Sequence, residues 1–224
     1  MYNTENSLAV KIKSQAVGEN KNIFLTRFAF SIAFAAAMAL SANIFIYLPG
    51  NPVPITLQTI TVLLSALFLG SRFALLCQLE YIILGIMGFP VFAGFKNGIF
   101  SLLGPTGGYI IGFLFASYVT GYIFENFGSS IKNKIYLCLI SFISGLIIIY
   151  MTGYIHLLAY MAAAYGKIGI RLLLLRTFDL AVKPFILVEF VKLFIVMDVA
   201  VLIKSNSRIL SIYKKVLAKA FKAS

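Results

Sequence analysis

Glu189 and Lys192 are the residues on which chemistry can be built. They stand three positions apart in an otherwise apolar stretch, so a helix places them on one face, where each neutralises the other. Charges inside a membrane-length apolar segment are costly and are functional candidates by default. A carboxylate that accepts and an ammonium that donates suit a small ligand carrying both kinds of polar group. The same spacing is also compatible with a structural ion pair joining helices. Asp198 follows Glu189 by nine residues, about half a turn round the helix, and reads as structural or partner-facing. Lys183 lies near the segment's end, where its stem can carry the ammonium to the interface.

Other reactive types give less. Glu80 is a lone acid in an apolar run, either paired with a base from another helix or facing a wet cavity; the sequence does not choose. His156 is the single histidine and reads as structural. Without a second histidine or a carboxylate cluster a metal centre has no support. No serine or cysteine comes with an evident base, so acyl transfer has none either. Cys77 and Cys138 sit in apolar runs as small hydrophobes. The expectation is therefore a protein with no catalytic residue, metal or cofactor.

A glycine-rich stretch is the other signal. It reads Gly88-Phe89-Pro90-Val91-Phe92-Ala93-Gly94-Phe95-Lys96-Asn97-Gly98, then Gly104-Pro105-Thr106-Gly107-Gly108-Tyr109. Irregular backbone at membrane depth must line a cavity or be buried in protein, and glycine lets backbone approach a ligand closely. With Phe92 and Tyr109 the stretch can wall a small, largely apolar pocket. A re-entrant plug without a ligand reads equally from the same residues.

The elements that position these residues follow from composition. Of 224 residues, 61% are hydrophobic and only 12% charged, about half the usual charged share of a soluble domain. Soluble enzymes, secreted disulfide scaffolds and disordered chains are excluded, and an integral membrane protein remains. A net charge of +12 in such a protein marks cytoplasmic loops and tails facing anionic lipid; no polar aromatic-basic segment points to nucleic acid. The run from Arg27 to Arg72 is uncharged and too long for one crossing of ~20 residues, and Pro49, Pro52 and Pro54 break it. The expected helices lie near 24–48, 55–70, 73–88, 108–124, 135–160 and 180–203, with Arg72 at a tight turn and a basic segment at 161–178. Residues 1–22 read as a polar tail, 23–204 as the six-helix domain and 205–224 as a basic tail. Within that tail Ile209, Tyr213, Val216, Ala220 and Phe221 oppose Arg208, Lys215, Lys219 and Lys222, the pattern of an amphipathic helix on the inner leaflet or of a solvated basic tail.

Six helices put both termini on one side. With the termini inside, Lys11, Lys13, Lys21, Arg27, Arg72, Lys132, Lys134, Lys204, Arg208, Lys214, Lys215, Lys219 and Lys222 are cytoplasmic, against Lys96, Lys167, Arg171 and Arg176 outside. The positive-inside rule then predicts a multi-pass protein with both termini in the cytoplasm.

The glycine-rich stretch resembles the signature of the BioY family, the biotin-capturing S components of energy-coupling-factor (ECF) vitamin transporters. Pro54-Ile55-Thr56-Leu57-Gln58-Thr59 is similar to the family's segment at the start of helix 2, and Leu69-Gly70-Ser71-Arg72 to its turn between helices 2 and 3. Pro184-Phe185 with Glu189 and Lys192 resembles its Pro-Phe…Asp-x-x-Lys motif on helix 6. Glutamate replaces the usual aspartate at 189, one methylene longer, and Val188 stands where glycine is usual. The resemblance covers roughly residues 27–203. It implies an all-α, six-helix S-component bundle in a bacterial plasma membrane, with a biotin pocket opening outward.

On that reading Glu189 accepts a ureido N–H of biotin and Lys192 donates to its carbonyl, or instead pairs with the valerate carboxylate. Phe92 and Tyr109 supply apolar wall, Asn97 and Thr106 are hydrogen-bonding partners, and Gln58 helps close the lid. Ala29, Ala33 and Ala37 form a small-residue face, which the resemblance assigns to docking the transmembrane coupling subunit; packing within the bundle is the alternative. The sequence carries no Walker A motif, so the two ABC-type ATPases of such a module would be separate chains. A second expectation is a stand-alone vitamin carrier, with Glu80 or Glu189 coupling protons. A membrane enzyme lacks any supporting constellation.

Overall fold

The computed structural model describes residues 24–127, 134–165 and 169–205. The tail over 1–22, the amphipathic segment over 207–222, and Lys132 and Lys167 lie outside them. The elements in order are α1 (Phe24–Ala42), β1 (Phe45–Ile46), β2 (Ile55–Thr56), α2 (Gln58–Ile86), α3 (Ile99–Leu103), α4 (Gly107–Asn126), α5 (Lys134–Tyr165), α6 (Ile170–Ala181) and α7 (Lys183–Ser205).

The long helix α2 is two arms. At Gly70 the backbone leaves the helix, with φ 75° and ψ 177°, a left-handed conformation that favours glycine. Gln58 Nε2 donates to Tyr81 Oη at 3.0 Å, and Gln78 Nε2 donates to Ser65 Oγ at 3.2 Å. Those pairings run in opposite senses, so the arms fold back on one another as a hairpin. Glu125, from the end of α4, caps the second arm: its Oε1 accepts from Ser71 N at 2.9 Å and its Oε2 from Ser71 Oγ at 2.7 Å. A carboxylate at a helix N-terminus satisfies orphan donors and complements the dipole. The turn expected at Arg72 is thus at Gly70.

Counting both arms, the six expected helices are α1, the arms of α2, α4, α5 and α7. Among the described residues, α1, α4 and α5 are each long and apolar enough to cross a membrane, and the α2 hairpin has the same apolar composition. The fifth long helix, α7, has 23 residues and carries Lys183, Glu189, Lys192 and Asp198. Its buried positions are Phe185, Glu189, Lys192 and Val196, while Leu187 is 76% and Phe194 70% exposed. An exposed surface of this kind fits lipid as solvent, and the protein is a multi-pass membrane protein.

Three boundaries differ from expectation. The first helix stops at Ala42 rather than 48, because Asn43 turns its amide onto Ala39 O at 2.9 Å and the chain enters a ribbon. That ribbon pairs β1 with β2 antiparallel, Phe45 opposite Thr56 and Ile46 opposite Ile55. The second helix therefore starts at Gln58, not 55. The expected segment at 161–178 is helical in its described part: α5 runs on to Tyr165, and α6 packs through Leu173, Thr177 and Ala181. A break at Val182 (φ −125°) precedes Pro184, as expected where the residues before a proline leave the helix, and α7 begins at Lys183.

Helices α4 and α5 meet at close range. A Cβ on Gly112 would come within 2.1 Å of Thr152 Oγ1, and one on Gly145 within 2.3 Å of Thr120 Oγ1. Small residues are what permit such approach between helices in lipid. The main core cluster, including Met38, Tyr81, Phe113 and Ile149, lies against this seam.

Candidate functional site

A cavity opens between the ribbon, the glycine-rich loops and the inner faces of α4, α5 and α7. About 510 Å³ of space lies between these walls, open mouth included. Its walls are Val53 and Pro54 from the loop before β2, Thr56 from β2, Gln58 and Thr59 from the start of α2, Ala93 from the loop after α2, Thr106 from the turn before α4, and Tyr109, Ile110 and Phe113 from α4. Ile149, Tyr150, Phe185, Glu189 and Lys192 complete it. The lining is mostly apolar and carries one buried ion pair.

That pair is bonded asymmetrically. Glu189 Oε1 accepts from Lys192 Nζ at 2.5 Å, from Tyr150 Oη at 2.9 Å and from Thr59 Oγ1 at 3.1 Å. Lys192 Nζ also donates to Thr59 Oγ1 at 3.1 Å. Glu189 Oε2 is buried with no hydrogen-bond partner. Both residues are nearly sequestered, Glu189 6% and Lys192 4% exposed. Burying two charges costs several kcal/mol per ion unless geometry and further hydrogen bonds offset it. Here the offset is complete on one oxygen and missing on the other. The third N–H of Lys192 also has no partner among the described residues. The pair thus leaves one acceptor and one donor unmatched.

The helix breaks aim the walls. Tyr109 Oη donates to Ala181 O at 2.7 Å and Asn51 Nδ2 to Leu180 O at 3.0 Å, so consecutive carbonyls at the end of α6 are held from two sides of the cavity. Asn51 Oδ1 accepts from Val53 N at 2.9 Å, which shapes the proline-rich loop that lines the cavity with Val53 and Pro54. Tyr109, Tyr150 and Phe185 form an aromatic group with ring centroids 5.7–6.3 Å apart, a spacing typical of favourable aromatic pairs.

Of the residues singled out in the sequence, Gln58, Thr106, Tyr109, Glu189 and Lys192 come together in this cavity. Phe92 does not line it. Its ring is 2% exposed, lies edge-on to Tyr81 at 5.5 Å, and fills the space that a Cβ on Gly85 would need; it braces the loop whose next residue, Ala93, reaches the cavity. Asn97 is exposed, and its carbonyl accepts from Ser101 Oγ at 2.7 Å. Gln58 is engaged on both ends, accepting from Thr56 Oγ1 at 3.1 Å while donating to Tyr81. Phe185 belongs to the same helical stripe as Glu189. Tyr150 carried no local signal, and Thr59 stood in a family-like segment without a role, because only the fold brings α2 and α5 to the acid.

The remaining charged residues sit elsewhere. Glu80 accepts from Ser31 Oγ at 2.9 Å between α1 and α2, away from the cavity lining. His156 Nε2 contacts Gly104 O at 2.9 Å and tethers the turn before α4. Lys183 pairs with Asp179 at 3.0 Å on the surface, and Asp198 is exposed. Ala29 and Ala33 are exposed on α1 and Ala37 is half-buried.

Comparison with known proteins gives a consistent set. A family model described as the BioY family matches residues 12–208. The biotin transporter BioY of Thermotoga maritima is 42% identical over 120 residues, covering 54% of this chain and 67% of that protein. The probable biotin transporter BioY of Pyrococcus horikoshii is 38% identical over 160 residues, covering 71% and 84%. Among solved structures, the S component for biotin from an ECF-type ABC transporter matches with a TM-score of 0.68 at 22% identity, over 83% of this chain and 94% of that one. At that identity the match speaks for the fold.

Proposed function

The chain belongs to the BioY family, and we propose that its cavity binds biotin for uptake, as the substrate-specific subunit of an ECF transporter. The observation that carries this reading is the half-satisfied pair at the cavity wall. Glu189 Oε2 lacks a donor, and Lys192 has an N–H to spare. The ureido group of biotin offers N–H and C=O on adjacent atoms, so one ligand edge satisfies both. Its fused rings and aliphatic chain then lie against Tyr109, Ile110, Phe113, Ile149 and Phe185. The valerate carboxylate runs toward Thr106 at the amino end of α4, where the helix dipole favours an anion. The task is binding and transport, with no covalent step.

The wider assembly follows from the outer face of α1. Ala29 and Ala33 are exposed, so packing within this bundle does not use them, and small residues in lipid support close helix docking. We assign that face to the transmembrane coupling subunit, which would connect to two separate ATPase chains. The excess of lysine and arginine on the proposed inner side supports cytoplasmic termini in a bacterial plasma membrane.

Calorimetry of the purified protein against a vitamin panel tests the substrate. Biotin is expected to give a saturable one-to-one isotherm, and the others none. Tighter binding of a different vitamin would overturn the assignment.

A further inference from the structure

We propose that Tyr150 and Thr59 are positioning residues that hold the Glu189 carboxylate in one orientation, and so make the cavity select an N–H donor over its N-alkylated counterpart. The inference rests on the biotin reading of the same site.

A glutamate carboxylate turns about a broad, roughly two-fold torsion, so its two oxygens exchange roles unless something pins one of them. Lys192 alone does not pin it, since an ammonium one helical turn away can serve either oxygen. The asymmetry comes from two hydroxyls on other elements. Tyr150 Oη on α5 donates to Oε1 at 2.9 Å, and Thr59 Oγ1 on α2 donates to the same atom at 3.1 Å. Each hydroxyl is itself fixed. The Tyr150 ring is held between Tyr109 and Phe185, with centroids at 6.0 and 5.7 Å. The Thr59 oxygen accepts from Lys192 at 3.1 Å, which commits its single proton to Glu189. With Oε1 occupied by three donors, Oε2 is the oxygen left over, buried and without a partner.

An acceptor fixed in this way rejects a ligand that lacks the matching donor. A methyl group on the ureido nitrogen leaves Oε2 unpaired in a buried site and occupies the space its partner should fill. If the carboxylate were free to turn, it would lose part of its grip on biotin and would also turn away from the methyl group. Selectivity would then fall further than overall binding to the methylated compound.

The test measures the affinity of the full chain for biotin, for biotin methylated on a ureido nitrogen, and for biotin methyl ester. The wild type is expected to prefer biotin over the N-methyl compound by at least about a hundredfold and to treat the ester separately from that preference. Tyr150→Phe and Thr59→Val are each expected to weaken biotin about tenfold. They should leave the N-methyl compound nearly unchanged, so that the preference narrows by about the same factor. Thr59→Ser, which keeps the hydroxyl, is expected to restore it. A preference that stays constant in Tyr150→Phe and Thr59→Val, whatever the overall affinity does, overturns the proposal and leaves those hydroxyls as packing groups. Should Tyr150→Phe fail to fold, the Thr59 pair carries the same readout. Wild type that binds biotin and its N-methyl form equally also overturns it, whereas wild type that ignores biotin overturns the parent reading instead.

Discussion

Asn51 reaches across 129 residues of sequence to donate to the carbonyl of Leu180 at 3.0 Å. It does so from a loop whose neighbours Val53 and Pro54 form part of the cavity wall, and onto a carbonyl freed by the break after α6. This lining loop is therefore fastened to α6, next to the helix that carries Glu189 and Lys192. Removing the amide in Asn51→Ala deletes this bond and the turn bond to Val53 N. A net loss of about 1 kcal/mol per hydrogen bond is expected to speed biotin dissociation roughly five- to thirtyfold, with a smaller change in association. Stopped-flow exchange of labelled biotin measures both rates. An unchanged dissociation rate would mean that the loop does not retain the ligand.

Lys192→Ala separates a ligand contact from a structural ion pair. The substitution strands the Glu189 carboxylate in a buried site, which costs about 3–5 kcal/mol, so both thermal stability and biotin binding should fall. The double variant Glu189→Gln, Lys192→Met removes both charges at similar volume, and its stability is expected to return close to wild type. Biotin binding should not return, because the charged acceptor and donor are gone. Recovery of affinity along with stability, read by calorimetry on the same preparation, would make the pair purely structural.

How much of this was readable in the sequence depends on the range of each signal. Helix existence followed from apolar length, and the shared face of Glu189 and Lys192 on α7 from their spacing. Both are local periodicities. The end of α1 was misplaced because residues 43–48 are as apolar as the helix before them, and only pairing with Ile55 and Thr56 makes them a ribbon. Phe92 resembled a pocket wall in type and position, yet its ring packs behind the wall against Tyr81. Glycine at 85 leaves the space for it, a tertiary fact without a local signature. Thr59 and Tyr150 were missed for the same reason: neither residue type is unusual in its own segment, and their role exists only where α2, α5 and α7 converge.

Gly70 is expected to be the least tolerant position of the α2 hairpin. Its φ of 75° strains any side chain, and a Cβ there would stand 2.0 Å from Glu125 Oε1. Gly70→Ala must either displace Glu125 from the Ser71 cap or distort the turn. Strain of about 1–2 kcal/mol adds to the loss of a cap worth about 1 kcal/mol. Glu125→Ala, which loses only the cap, should be the milder of the two. Thermal unfolding in detergent ranks them, and a Glu125→Ala variant less stable than Gly70→Ala would contradict the role given to the backbone.

Ala33 offers a separation of binding from transport. It is exposed on α1, and the cavity lining does not include α1. A large side chain there therefore leaves the proposed biotin contacts untouched. If the small-residue face docks the coupling subunit, Ala33→Phe holds the two helices apart by several ångströms, and close packing in lipid is lost. The purified variant is expected to bind biotin as the wild type does, within about twofold. Its co-purification with a coupling subunit and its biotin uptake in cells expressing the complete module should both fall by more than about tenfold. Uptake that persists at the wild-type level would assign the docking surface to another face of the bundle. Loss of biotin binding by the isolated variant would show instead that α1 supports the cavity itself.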